Sequence, residues 1–165
     1  MKQEKQIKVF YTDGACSGNP GKGGFGVVQL DKNIIKYKYN KFSDLTTNNR
    51  EELKAILYVM KLAAADPIHE YLVYSDSAYA VNMINDWIWK WAKSDWCNSK
   101  NKEVENIDLV KEIYNYLSTE FFNFQIKKCK GHSGEIGNEL ADALAIGDRK
   151  KWDKLLETNE LLVAF

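Results

Sequence analysis

The sequence predicts one α/β domain in which an antiparallel meander of three strands is followed by helices alternating with two further strands. Three observations carry this: period-2 alternation within the first 40 residues, helical spacing of apolar residues over 46–65, and a short, almost wholly apolar run at 71–75. The chain has 165 residues, 45% of them hydrophobic, enough to build a real core without a second domain.

In the first strand Ile7, Val9 and Tyr11 alternate with Lys8, Phe10 and Thr12, and the pattern stops at Asp13. A carboxylate at a strand exit suits an active site, and the glycines that follow would let a substrate backbone come close; Asp-Gly is equally a strong hairpin-turn signal. Residues 25–30 read as the second strand, 31–33 as a turn, and Ile35, Tyr37 and Tyr39 alternating with lysines as the third. Gly21, Gly23 and Gly26 spell the dinucleotide fingerprint, but they lead into a strand, whereas that motif must open a helix, and Gly23 stands where a Walker A loop needs Ser or Thr.

Residues 46–65 carry Leu53, Ile56, Leu57, Met60 and Ala64 on one helical stripe, with Asn48 and Glu51 spaced as a capping box. At about 100° per residue, Glu51 should point away from that stripe while Glu52 lies on its edge, where an unpaired carboxylate is costly and a functional role is favoured. Asp66-Pro67 ends this helix, and the 71–75 run reads as a strand buried on both faces, exiting into Asp76. Ser77 can cap a helix over 78–84. Residues 87–107 interleave four tryptophans with Lys90, Lys93, Lys100 and Lys102, which suits stacking and phosphate contact on nucleic acid; an amphipathic helix packing Trp87 and Trp91 is the plainer account. A short helix over 108–117, a last strand over 121–128 and a helix from Asn138 complete the chain. His69 reads as solvated; His132 occupies a glycine-flanked loop at a strand exit, where a mobile proton carrier is useful. Periodicity leaves Asp142, off the Leu140–Ala141–Leu144 stripe, undecided.

The N-terminal residues lack the pattern of a signal peptide, and no apolar run approaches the ~18 residues of a membrane span, so a soluble, cytoplasmic protein with no membrane partner is expected. Three cysteines without metal-site spacing read as free thiols in a reducing compartment. Twenty-three Lys+Arg balance 23 Asp+Glu, which counts against nucleic acid for the chain as a whole and shifts the question to local charge.

Taken together, YTDGACSGNPG, NNREEL, YSDSAYAV, the tryptophan–lysine segment ending NIDL, and KGHSGEIGNELAD closely resemble type 1 ribonuclease H, the endonuclease family that cuts RNA in RNA–DNA hybrids. The resemblance covers about residues 7–148, with 149–165 as a C-terminal extension. It implies the ribonuclease H-like fold: a five-stranded mixed sheet, three antiparallel strands then two parallel, flanked by helices. It implies four metal-binding carboxylates, Asp13, Glu52, Asp76 and Asp142, a mobile-loop histidine, His132, and cleavage that leaves 5′-phosphate and 3′-hydroxyl ends. Converging carboxylates repel unless a cation joins them, so two Mg²⁺ ions are expected, with Mn²⁺ as an alternative; such ions about 4 Å apart can hold both the attacking water and the leaving oxygen.

The resemblance also matches Cys16, Asn19, Asn48 and Glu52, with Gly14 and Asn49 beside them, to positions that meet the RNA strand. Thr47 and Asn106 match a pocket for a DNA phosphate. Trp87, Trp91 and Ser99, with Lys93, match the DNA channel of the family's basic protrusion. Here that protrusion departs from the pattern, because Asp95, Glu103 and Glu105 offset its four lysines and leave a net charge of only +1. A monomer acting on an RNA–DNA hybrid is expected. The rivals are a DNA nuclease of the same fold, such as a transposase or resolvase relative, a retroviral polymerase fragment, from which the protrusion is typically absent, and a non-catalytic hybrid-binding module.

Overall fold

A computed structural model describes residues 4–131 and 135–165. Strands β1 (Ile7–Cys16), β2 (Gly21–Asp31) and β3 (Ile34–Thr46) form the antiparallel meander, and β4 (Glu70–Ser75) and β5 (Phe124–Lys128) extend the sheet in parallel on the other side of β1. The sheet has six strands and not five: β6 (Leu162–Val163), in the C-terminal extension, pairs in parallel with Ile34 and Ile35 at the free edge of β3, giving the order β5-β4-β1-β2-β3-β6. Two residues are too short a signal to read from sequence; the edge they cover would otherwise stand unpaired.

Helix α1 (Asn48–Ala64) and, beyond it, α4 (Ile107–Leu117) cover one face of the sheet, and α5 (Ile136–Ile146) with α6 (Arg149–Thr158) cover the other. Strand alternation sorts β2 between them: Val27 joins Phe10, Leu53, Ile56, Met60, Val73 and Ile113 in the larger core, while the next residue, Val28, joins Ile35, Leu140, Leu144 and Trp152 in the smaller one. Helix α2 (Ala78–Asn82) continues through a π-helical turn, Met83–Trp87, into α3 (Ile88–Lys93), so the helix expected to stop at residue 84 runs on to 93. Among the described residues no helix is long and apolar enough to cross a membrane.

Several local expectations give way to packing. β1 runs through Asp13 and Gly14 to Cys16, so Asp-Gly is strand and not a hairpin turn. The α1 cap is Thr47, whose hydroxyl accepts from Arg50 N at 3.2 Å, and the Asn48–Glu51 box does not form. Glu51 is fully buried, because its stem lies against β1, where a Cβ at Gly14 would stand 2.9 Å from the Glu51 Cβ; its carboxylate meets Lys54 Nζ at 3.1 Å, and Lys54 also donates to Ser43 on β3. β4 is not buried on both faces: Tyr71, Val73 and Ser75 are buried while Leu72 and Tyr74 are half-covered. His69 is buried, with Nδ1 accepting from the Gln6 backbone at 3.0 Å.

Candidate active site

Asp13, Glu52 and Asp76 converge through backbone geometry. β1 and β4 pair in parallel with Thr12 opposite Ser75, so the residues that follow, Asp13 and Asp76, come side by side. Glu52 arrives because Gly14 lets α1 lie directly on β1: a Cβ at Gly14 would sit 2.4 Å from the Glu52 backbone nitrogen. Gly26, the cross-strand partner of Asp13, does the same for α5, since a Cβ there would lie 2.3 Å from the Ala141 carbonyl oxygen. These glycines bring helices to the sheet. One carboxylate oxygen from each of Asp13, Glu52 and Asp76 lies within 4.8 Å of the others.

Asp13 and Glu52 are both buried. Burial first, then the facing Glu52 and Asp76 charges and a hydrogen bond with Asp142, push the Asp13 carboxyl far above the usual range. Glu52 is also raised, by burial and then by Asp76, against a hydrogen bond from Asp13 that favours its charged form. Glu52 Oε2 is buried without any hydrogen-bond partner, an arrangement that costs free energy unless a cation completes it. Clustered carboxylate oxygens with one orphaned acceptor fit a hard divalent ion of the Mg²⁺ or Mn²⁺ kind, with Asp13, Glu52 and Asp76 as its holders and Asp142 adjoining through Asp13.

Asp142, on α5, carries a contact that sequence reading missed. Lys151 Nζ, from α6, lies 2.6 Å from Asp142 Oδ2 and 2.8 Å from Glu139 Oε2. Burial works to lower the Lys151 pKa, but the hydrogen bonds that it donates to the two carboxylates outweigh this and hold the ammonium above its ordinary value. Nothing local announces a lysine nine residues beyond Asp142 as its partner, because the pair exists only through the α5–α6 turn. The Gly131 backbone packs against Asp76, where a Cβ would stand 2.8 Å from Oδ2; the next residue, His132, lies outside the described residues.

Of the residues matched to substrate contacts, Asn19, Thr47, Asn48, Asn49 and Asn106 line one pocket at the start of α1. Asn19 Oδ1 accepts from the Asn48 backbone at 2.9 Å. Asn106, in the left-handed conformation, accepts from Arg50 and donates to Tyr79 OH, both at 3.4 Å, while Arg50 is clamped by both Asp108 oxygens at 2.9 and 2.8 Å. Glu105 lines the same pocket and brings an acid beside the two residues, Thr47 and Asn106, that the resemblance matches to a phosphate. Cys16 opens on a separate cleft with Phe42, Ser43 and Ile146, its thiol donating to the Thr46 carbonyl at 3.2 Å. Trp87 and Trp91 are half-buried against the larger core with ring centroids 6.0 Å apart, so they pack as the amphipathic-helix account requires while each keeps an exposed part. Lys93, ending α3, and Ser99, in the turn beyond it, are exposed.

Comparison with known proteins agrees with this architecture. The RNase H family model matches residues 4–149. The chain is 46% identical over 138 residues to a ribonuclease H of Caldicellulosiruptor saccharolyticus, covering 83% of this chain and 92% of that protein. It is 45% identical over 152 residues to a ribonuclease H of Caldanaerobacter subterraneus subsp. tengcongensis, covering 92% and 96%. Among solved structures, the PFV RNase H domain superposes with a TM-score of 0.73 at 28% identity, over 85% of this chain and 92% of that one. The foamy viral protease-reverse transcriptase in complex with RNA/DNA hybrid superposes with a TM-score of 0.74 at 25% identity, over 85% of this chain and 19% of that one. The matched segment spans both strand-exit aspartates, the Glu52 helix and the Asp142 helix, and on these grounds the chain belongs to the type 1 ribonuclease H family.

Proposed function

We propose that the protein hydrolyses the RNA strand of RNA–DNA hybrids as a divalent-metal-dependent endonuclease, leaving 5′-phosphate and 3′-hydroxyl ends. The observation that carries this is the convergence in space of Asp13 on β1, Glu52 on α1 and Asp76 at the exit of β4 in a ribonuclease H fold, with a buried Glu52 oxygen that has no partner. Two Mg²⁺ ions held there would supply activation of the attacking water and neutralisation of charge on the leaving oxygen.

The chain's own residues do the rest. Asp13, Glu52, Asp76 and Asp142 would hold the cations. Thr47 and Asn106, in the pocket they share with Asn19, Asn48 and Asn49, seat a phosphate of the DNA strand and set the register of the hybrid, with Arg50 holding Asn106 in place. Cys16, Asn19 and Asn48 face the strand that carries 2′-hydroxyls, which is how RNA is told from DNA. The exposed edges of Trp87 and Trp91, with Lys93 and Ser99, guide the DNA strand. His132 assists proton transfer or product departure. The protein acts as a cytoplasmic monomer.

The decisive experiment offers the purified protein a hybrid labelled on either strand, with Mg²⁺ and with chelator, beside an all-deoxy duplex of the same sequence. Cleavage confined to the RNA strand, and abolished by chelator, is the expected result. Comparable cutting of the all-deoxy duplex would transfer the assignment to a DNA nuclease, and binding without cleavage would make this a hybrid-binding module.

A further inference from the structure

Lys151 reaches the acidic site from beyond the segment that the family model matches, which ends at residue 149. Its backbone is fixed by the α6 cap, where the Asp148 carboxylate accepts from Lys151 N at 2.9 Å. The next residue, Trp152, is buried in the smaller core with Val28, Ile35 and Leu140. Pinned on both sides, the Lys151 side chain folds back over α5 and places Nζ between Asp142 and Glu139. The contact is largely shielded, with side-chain exposures of 25% for Lys151, 17% for Asp142 and 18% for Glu139. Asp142 in turn is hydrogen-bonded to Asp13, so the ammonium is one residue removed from the carboxylate cluster.

We propose that Lys151 is a positioning residue that serves as the counter-charge of Asp142 in the metal-free protein and gives up that contact when a divalent cation takes Asp142, so that it sets the metal affinity of the site. This rests on the metal-dependent reading above. An oxygen 2.6 Å from an ammonium cannot also ligate a divalent ion without bringing two cations into near contact, so the lysine must withdraw or the ion binds against its charge. Glu139 gives the displaced ammonium a partner, which keeps the exchange inexpensive and reversible. Removing the charge removes the competitor.

The test is calorimetric titration of Mn²⁺, and separately Mg²⁺, into the full chain as wild type, K151Q and K151R, with melting of each in chelator. K151Q should bind the metal about three- to fivefold more tightly, the range that a partly exposed ion pair can supply, and should melt lower than wild type in chelator because Asp142 loses its counter-charge. K151R, which keeps the charge, should bind like wild type. A residue that only ties α6 to α5 would lower the melting temperature without tightening the metal. K151Q binding as wild type or more weakly overturns the proposal, as does K151R behaving like K151Q. A wild-type chain that takes up no metal overturns this proposal and the metal-dependent reading together, whereas equal affinity in wild type and K151Q overturns this one alone.

Discussion

Replacing Asp13 by Asn should make the metal-free protein more stable and the enzyme nearly inactive, two effects of opposite sign from one oxygen-to-amide exchange. Asp13 is 6% exposed and faces Glu52 and Asp76. Its ordinary pKa of 3.8 is raised in the fold, first by burial and then by those two carboxylates. A raised carboxyl favours the folded state only while it is protonated in both states. As pH climbs above 3.8, the unfolded chain releases this proton while the fold retains it, so stability falls by up to about 1.4 kcal/mol per pH unit until the folded value is passed. Between pH 4 and 7 the ceiling is about 4 kcal/mol, and dielectric relaxation around a cluster that opens to solvent at Asp76 halves it to about 2 kcal/mol. Asn does not titrate and escapes this penalty. In chelator at pH 7 the variant should therefore melt about 4–8 °C above wild type, and at pH 4 the two should nearly coincide. Thermal melts across that range measure the first effect, and hybrid cleavage with Mg²⁺ measures the second. A variant that melts at or below wild type at pH 7, or a gap that does not widen from pH 4, refutes the electrostatic argument. A cleavage rate above about a tenth of wild type, less than about 1.4 kcal/mol of lost transition-state stabilisation, refutes the role given to Asp13.

Gly14→Ala tests the close approach of α1: its Cβ would meet the Glu52 backbone at 2.4 Å, so about 1–3 kcal/mol of stability should be lost and calorimetry should show weaker metal binding, whereas unchanged affinity would mean that Glu52 is not placed by this contact. His132→Ala should slow turnover by about 10- to 100-fold, or roughly 1.4–2.8 kcal/mol, without silencing it; a loss as deep as that of Asp13→Asn in the same steady-state assay would make His132 a primary catalyst. Neutralising Lys90 and Lys93 together should raise KM with kcat nearly unchanged, and flatten the slope of log K against log salt by up to about 0.9 per lost phosphate contact. Lys93 should carry most of that effect, since Lys90 is already paired with Asp86 at 3.3 Å, and an unaltered salt slope would reduce the 87–107 segment to a packed helix.

Sequence by itself determined the order of elements and the two strand-exit aspartates, because both are written in neighbouring residues: alternation in β1, a compact apolar run in β4, and an acid directly after each pattern. It also separated Glu52 as a carboxylate without a local structural task, and the motif resemblance placed Asp142, which periodicity could not. Tertiary structure alone decided the matters that depend on what packs against what. Glu51, which apolar periodicity turns away from the core, is buried, since the periodicity says nothing of how closely a side-chain-free Gly14 lets the start of α1 settle on β1. The glycines of β1 and β2 serve helix approach, a role visible only once Glu52 and Ala141 stand against them. β6 and the Lys151–Asp142 pair come from the far end of the chain, and no local pattern encodes a contact between residues whose meeting is set by the path of the turns between them. The register of Thr12 against Ser75 is the physical step joining the two levels: each strand announces its own aspartate, and only the parallel pairing makes them one site.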